Sequence, residues 1–384
     1  MDFGLSPEQQ LLQRTLREFS TRELMPAYQS RDRDEDLPPE LIRRLGAMGI
    51  LAPMVPASYG GSGLDYVSLG IAHEEIARGD FNAAYVLLLA ALVGAIIARN
   101  GDDRQRSAYL PPICRGDVVS ALGVTEPAGG SDAAHVKLSA RREGDHYILD
   151  GEKTSISFAS SARTALIIAR TGTLEQGAHG VSAFYVDLDS AGISRTRFRD
   201  LGSRAIGRGS LFFDAVRVPV SARVGAEGAG FVQVMQGFDF SRAMIGLMCI
   251  GAAEQSVEET CAYVGDREAF GGSLARFEGV SFPLAEAAVE LRAARLLCYE
   301  ALWLRDREQP HGWIAAGAKW LAPELCARVL HQCLLLHGHL GFGLELPHQQ
   351  RMRDVIGLEI GDGTAQIMKL LVAREIIGKA ARPY

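Results

Sequence analysis

Two carboxylates stand where they could do chemistry. In "EIGDGTAQIM" (359–368), Asp362 lies between Gly361 and Gly363 at the mouth of a helical pattern, with no side chain on either neighbour to shield it. A carboxylate so placed can cap the first turn of the helix or exchange a proton with a ligand, and one role does not exclude the other. Asp80, in "RGDFNAAY", precedes the run "FNAAYVLLLA" and carries the same two readings, helix start or proton-transfer group. The stretch "VTEPAGGSD" (124–132) sets the hydroxyls of Thr125 and Ser131 in a Gly-rich loop. Hydroxyls and backbone amides in such a loop can cradle anionic oxygens, although alone it reads as a surface loop. His331, His337, His339 and His348 crowd towards the end without a carboxylate at ligand spacing, so no metal is expected. Gly225 to Gly230 fits GxGxxG but follows a turn and a proline instead of opening a βαβ unit, and reads as a loop. Neither G-x-S-x-G nor HExxH occurs, which leaves hydrolase chemistry without a foothold.

The elements that must position these residues can be read from pattern. The chain has 384 residues, 47% of them hydrophobic, enough for a large core and two or three domains. A net charge of −6 and the lack of any Lys/Arg run argue against a nucleic-acid partner. Six cysteines without a CxxC pair suggest reduced, buried thiols. The start "MDFGLSPEQQ" lacks the basic and apolar regions of a signal peptide, so a cytoplasmic location is expected. Ser6, Pro7 and Gln9 instead read as cap, first-turn proline and capping-box partner of a first helix. The uncharged run Ala83 to Ala98 falls short of the roughly 18–20 residues of a span and reads as a buried core helix, with no membrane partner.

Residues 1–118 have helical periodicity, an N-terminal α-helical domain. Residues 119–222 change to short β-branched or alternating runs between Gly and Asp turns, a middle β-barrel or sandwich domain. Residues 223–384 return to helix, with long amphipathic segments at about 230–267, 280–308, 312–337 and 363–381. Four such helices make a C-terminal four-helix bundle, and the whole is an α+β multidomain chain.

Helical lobe, β middle and bundle, in that order, resemble the acyl-CoA dehydrogenase family of flavoenzymes over essentially the entire chain. "VTEPAGGSD" resembles the family's TEPxAGSD loop, which implies FAD contacts for Val124, Thr125 and Ser131. "DGEKTSISFAS" (150–160) is similar to the family's NGxKxWITN stretch. Ser155 replaces the Trp beside the flavin and Ser157 replaces the Thr that bonds flavin N5, so a hydroxyl donor survives while an aromatic wall is lost. "DREAFGG" (266–272) resembles the RxxFG element, through which Arg267 and Phe270 would approach the FAD of a neighbouring subunit. That implies a homo-oligomer, usually a tetramer in the family. Thr364 and Gln366 would meet the pyrophosphate and ribose regions, whereas Glu278, Leu335 and His339 depart from the family's ADP cradle.

By the same resemblance Asp362 is the base that removes the α-proton of an acyl-CoA while hydride leaves the β-carbon. Its backbone N–H would polarise the thioester oxygen. Most of the family has Glu there, preceded by a bulkier residue. A shorter base beside Gly361, Gly363 and Ser155 suits an acyl group branched or cyclic at Cα, and the quoted motifs look like the subgroup acting on cyclohexanecarboxyl-CoA. Ser241 occupies the family's alternative base position. Asp80 is then a secondary proton acceptor or a ring-orienting group, Arg242 a support for substrate or base, and Arg208 a contact for CoA phosphates. An electron-transfer flavoprotein is the acceptor the family implies. The rival readings are a desaturase of acyl groups on an acyl carrier protein, a nitroalkane-oxidising flavoenzyme, and an FAD-poor scaffold motivated by Glu278, Leu335 and His339.

Overall fold

The structure, a computed structural model, describes residues 3–381. Six helices come first: α1 (Pro7–Phe19), α2 (Tyr28–Asp34), α3 (Pro39–Ala47), α4 (Tyr66–Gly79), α5 (Phe81–Asn100) and α6 (Asp103–Arg115). Their starts follow local chemistry. Ser6 accepts from the Gln9 N–H at 3.2 Å while the Gln9 side chain accepts from the Ser6 N–H at 3.1 Å, which satisfies two donors that the first turn of α1 leaves open. Asp102 caps α6 with the same reciprocal pair, using Gln105, whereas Asp65 caps α4 by accepting from the Ser68 N–H alone. Helix α5 is the uncharged run anticipated from sequence. It is long and apolar enough to cross a membrane, yet 83% of that window is buried inside the fold, as suits a core helix.

The middle third holds β1 (Ser120–Gly123), β2 (Ser139–Glu143), β3 (His146–Ile156), β4 (Thr164–Arg170), β5 (Val181–Asp187), β6 (Ile193–Arg195), β7 (Gly209–Pro219) and β8 (Arg223–Val224). They hydrogen-bond in the order β6-β7-β3-β2-β4-β5-β8, with β1 parallel to β4. The β3/β7 ladder slips between Lys153 and Ile156, and past the slip Ile156 pairs with Gly209. Such a bulge re-aims the side chains it carries.

The rest is helical: α7 (Gly230–Asp266), a short hairpin of β9 (Glu268–Ala269) and β10 (Gly272–Ser273), then α8 (Glu278–Asp306), α9 (Gly312–Leu336), α10 (His339–Phe342), α11 (His348–Ile356) and α12 (Ala365–Ile377). Helices α7, α8, α9 and α12 pack together, with α4 and α5 laid against α7. The crossing of α4 and α7 is close because Gly251 has no side chain; a Cβ there would stand 2.2 Å from the Glu74 carbonyl oxygen. Two features differ from the sequence pattern. Helix α12 stops at Ile377, not near 381, because Gly378 takes φ 83°. Helices α10 and α11 fill a stretch that reads as a connection, and α11 hides Gln350, Arg351 and Asp354 in the interior, a burial its polar sequence conceals.

Candidate active site

Asp362 lies just outside α12 and does not cap it. The N-cap is Thr364, whose hydroxyl accepts from the Ile367 N–H at 3.4 Å. The helix-cap reading of Asp362 is therefore corrected: its carboxylate accepts no hydrogen bond and forms no ion pair within the described chain. Its backbone is left-handed at φ 55° and Gly363 follows at φ 103°. Asp tolerates this region better than most residues, and glycine occupies it freely. The Asp362 N–H also has no partner in the described chain.

Burial raises the Asp362 carboxyl above the usual range, opposed by the cations of Lys319 and Arg242. Arg242, on α7, is 7% exposed, sits 3.6 Å from Asp239, and has a buried Nε without a partner. Lys319, on α9, is 1% exposed and donates to the Gly363 carbonyl. Tyr85 of α5 completes the surroundings: burial and the Asp362 charge push its hydroxyl far up. The sequence reading passed over Lys319 and Tyr85. Lys319 had left a trace, a single cation in the apolar run "AAGAKWLA".

Asp80 is elsewhere and fully employed. It caps α5 by accepting from the Asn82 and Ala83 N–H groups at 2.7 and 3.1 Å, and its other oxygen accepts from Arg31 Nε at 2.5 Å. Around it Tyr28 and Asn82 donate to Asp354, a buried cluster that shares no hydrogen bond with Asp362. Of the two readings of Asp80, the geometry favours the helix start. Arg208 grips Asp200 through both oxygens, at 2.9 and 2.5 Å, beside the Phe198 ring, so its guanidinium is committed inside the chain.

The hydroxyl-bearing loop is anchored from beneath. Lys153 Nζ donates to the Val124 carbonyl at 3.0 Å and to Glu126 at 2.7 Å, while Glu126 accepts from the backbone N–H groups of Lys137 and Leu138. The Thr154 N–H donates to the Thr125 carbonyl at 2.9 Å, joining this loop to the bulge that holds Ser155, which has φ 59°. Arg208 precedes Gly209, the partner of Ile156, and Tyr85 feels both the Arg208 and the Asp362 charges.

These residues suit a flavin. Among the described residues, the hydroxyls of Thr125 and Ser131 in the loop, of Ser155 at the end of β3 and of Ser157 beyond it make no hydrogen bond within the chain, so all four are free to meet a ligand. Arg267 is exposed without a side-chain partner, and Phe270 is 93% exposed with φ 52°. Gln366 is exposed, and so are Glu278, Leu335 and His339.

Helical lobe, strand layer and bundle, with a free carboxylate and a set of unpaired hydroxyls, form the architecture of a flavin-dependent dehydrogenase. Family profiles agree: the acyl-CoA dehydrogenase N-terminal domain matches residues 6–117, the middle domain 121–216 and the C-terminal domain 228–377. The human mitochondrial short-chain specific acyl-CoA dehydrogenase is 33% identical over 371 residues, covering 96% of this chain and 90% of that one. The butyryl-CoA dehydrogenase structure from Megasphaera elsdenii superposes with a TM-score of 0.95 at 30% identity, covering 98% of this chain and all of that one. A Mycobacterium smegmatis glutaryl-CoA dehydrogenase in complex with FADH2 superposes with a TM-score of 0.92 at 28% identity, over 98% and 96% of the two chains. The chain belongs to the acyl-CoA dehydrogenase family, and it is an FAD-dependent oxidoreductase.

Proposed function

We propose that this enzyme introduces the α,β double bond into a compact acyl-CoA thioester, with Asp362 as the base. The observation that carries this reading is that Asp362 keeps its carboxylate free while Asp80 is spent on Arg31 and the cap of α5. Val124, Thr125, Ser131, Ser155, Ser157, Thr364 and Gln366 would hold FAD, which when bound would supply the acceptor for the β-hydride. The rest falls to the chain's own groups. The thioester oxygen accepts from the free Asp362 N–H, which lowers the cost of charge developing at the carbonyl. Asp362 takes the α-proton, the C–H electron pair becomes the new C=C bond as the β-hydride departs, and the product is the enoyl thioester. A base held above the ordinary Asp value by burial is better matched to this weakly acidic proton.

The acyl group we favour is alicyclic or branched at Cα, with cyclohexanecarboxyl-CoA as the probe. Supporting this, a Cβ at Gly361 would meet only Gly357 and Leu358 atoms at 3.6 Å, so the wall beside the base has unfilled room where the family carries bulk. The short-chain and butyryl-CoA relatives favour a small straight chain as the alternative. Exposed Arg267 and Phe270 fit contacts across a homo-tetramer, with an electron-transfer flavoprotein as oxidant.

The test is an anaerobic titration of the purified protein with cyclohexanecarboxyl-CoA and, separately, butyryl-CoA, following flavin absorbance. Bleaching by the cyclic thioester alone supports the wide pocket, and bleaching by butyryl-CoA alone overturns it. Asp362→Asn should slow bleaching by roughly 10²–10⁴-fold, the range for loss of a general base. Asp80→Asn should lower stability more than rate; an active D362N beside an inactive D80N would reverse the assignment.

A further inference from the structure

The loop that presents Asp362 has two consecutive left-handed residues, Asp362 at φ 55° and Gly363 at φ 103°. A non-glycine residue persists in that region only where its surroundings hold it. Its own backbone supplies little: the Gly361 N–H reaches the Gly357 carbonyl at 3.1 Å, and the Thr364 cap is long at 3.4 Å. The remaining hold comes from another helix. Lys319, 44 residues earlier on α9, sends its ammonium to the Gly363 carbonyl from a position 1% exposed. A lysine is rarely enclosed this fully without a partner. Here the partners are a backbone carbonyl and the field of the Asp362 carboxylate.

We propose that Lys319 is a positioning residue for the base, clamping the Asp362–Gly363 turn through the Gly363 carbonyl while setting a fixed cation against the Asp362 carboxylate. This rests on Asp362 being the base. Several other charged or titratable groups face the pair. Arg242 and Cys249 come from α7, the former beside Asp239; Tyr85 comes from α5; and Glu359, with Glu324 beyond it, comes from the turn before Asp362 and from α9. Of the two cations, Lys319 exerts the larger pull on Asp362, and burial brings Lys319 itself down to about 8, so it is charged at neutral pH. Loss of that charge leaves Arg242 as the sole cation acting on the base and lets the carboxylate rise further.

Two variants separate the roles. Lys319→Met removes donor and charge, while Lys319→Gln keeps a donor for the carbonyl without the charge. The acid limb of the flavin-bleaching rate against pH, with saturating acyl-CoA, should move up in both, because the larger of the two cationic pulls on the carboxyl is gone. Below that limb each unit is a tenfold loss, and part of the rate should return at higher pH. A uniform loss across pH with an unmoved limb would overturn the electrostatic role. Hydrogen exchange of a peptide spanning 357–368 needs no turnover. It should speed up at least several-fold in K319M and stay close to wild type in K319Q, and equal protection in all three proteins overturns the clamp. Should K319M fail to fold, K319Q against wild type still reads the limb. Should wild type bleach with no thioester, the proposed function fails, while exchange in K319M still decides the clamp.

Discussion

Replacing Lys153 by Met would disturb the Val124–Glu126 loop without touching it. Lys153 is fully enclosed, with Nζ 2.7 Å from Glu126 Oε1 and 3.0 Å from the Val124 carbonyl. Met preserves most of the stem volume and deletes the charge. Glu126 is then a buried carboxylate with only the Lys137 and Leu138 N–H groups, at 2.7 and 2.9 Å, and the Val124 carbonyl loses a donor. Stranding one partner of a buried ion pair costs about 3–5 kcal/mol. The lost carbonyl bond adds about 1 kcal/mol. Against this stands relief from burying an ammonium, the cause that brings Lys153 down to about 8 despite Glu126. That relief is about 3 kcal/mol, so a net loss of about 1–3 kcal/mol follows, readable as a lower urea midpoint by circular dichroism at pH 7. Because Thr125 rides on this loop, the protein should also purify with less FAD. Lysine in the unfolded chain keeps its proton to about 10.5, so between pH 8 and 10.5 the unfolded state binds more protons than the folded. Wild type should accordingly gain stability relative to K153M as pH rises through that window. A change under about 1 kcal/mol with undiminished flavin content would refute the reasoning, because the loop would then be held by something else.

The glycines flanking Asp362 should respond in opposite senses. Gly363→Ala puts a side chain at φ 103°, and although the Met368 methyl it meets at 2.5 Å can swing aside, the backbone strain of about 1–3 kcal/mol cannot be avoided, so both melting temperature and bleaching rate should drop. Gly361→Ala meets only ordinary contacts and should raise stability by about 0.4–1 kcal/mol, measured by the same unfolding curve. Burial pushes Asp354 up to about 7 even though it accepts from the Ser203 N–H and the Tyr28 hydroxyl. Between about pH 4 and 7 the folded state therefore holds a proton that the unfolded state has released, and stability from this group falls as pH rises. The advantage of wild type over Asp354→Asn should shrink across that window by up to about 4 kcal/mol, three units at 1.36 kcal/mol each, which thermal melts at several pH values would read.

What the sequence settled is what is local along it. The capping box of Ser6 and Gln9, the apolar run that becomes α5, the change from helical to strand periodicity near 119 and the TEPxG-like loop all depend on residues a few positions apart, and short-range chemistry dictates them. It also singled out Asp80 and Asp362, and the family resemblance put Asp362 first, but local pattern alone gave each the same two readings, because each stands before a helix and carries the same group. The structure separated them through the partners each carboxylate does or does not find. Arg31, 49 positions before Asp80, turns that carboxylate into a buried structural ion, while two positions beyond Asp362 a threonine takes over the cap and leaves the other carboxylate free. Lys319 and the Lys153–Glu126 pair were hidden for the same reason. A lysine's burial is set by the elements packed around it, and whether its charge clamps a loop or merely solvates a face is decided only when α9 meets the turn before α12, or β3 meets the loop after β1.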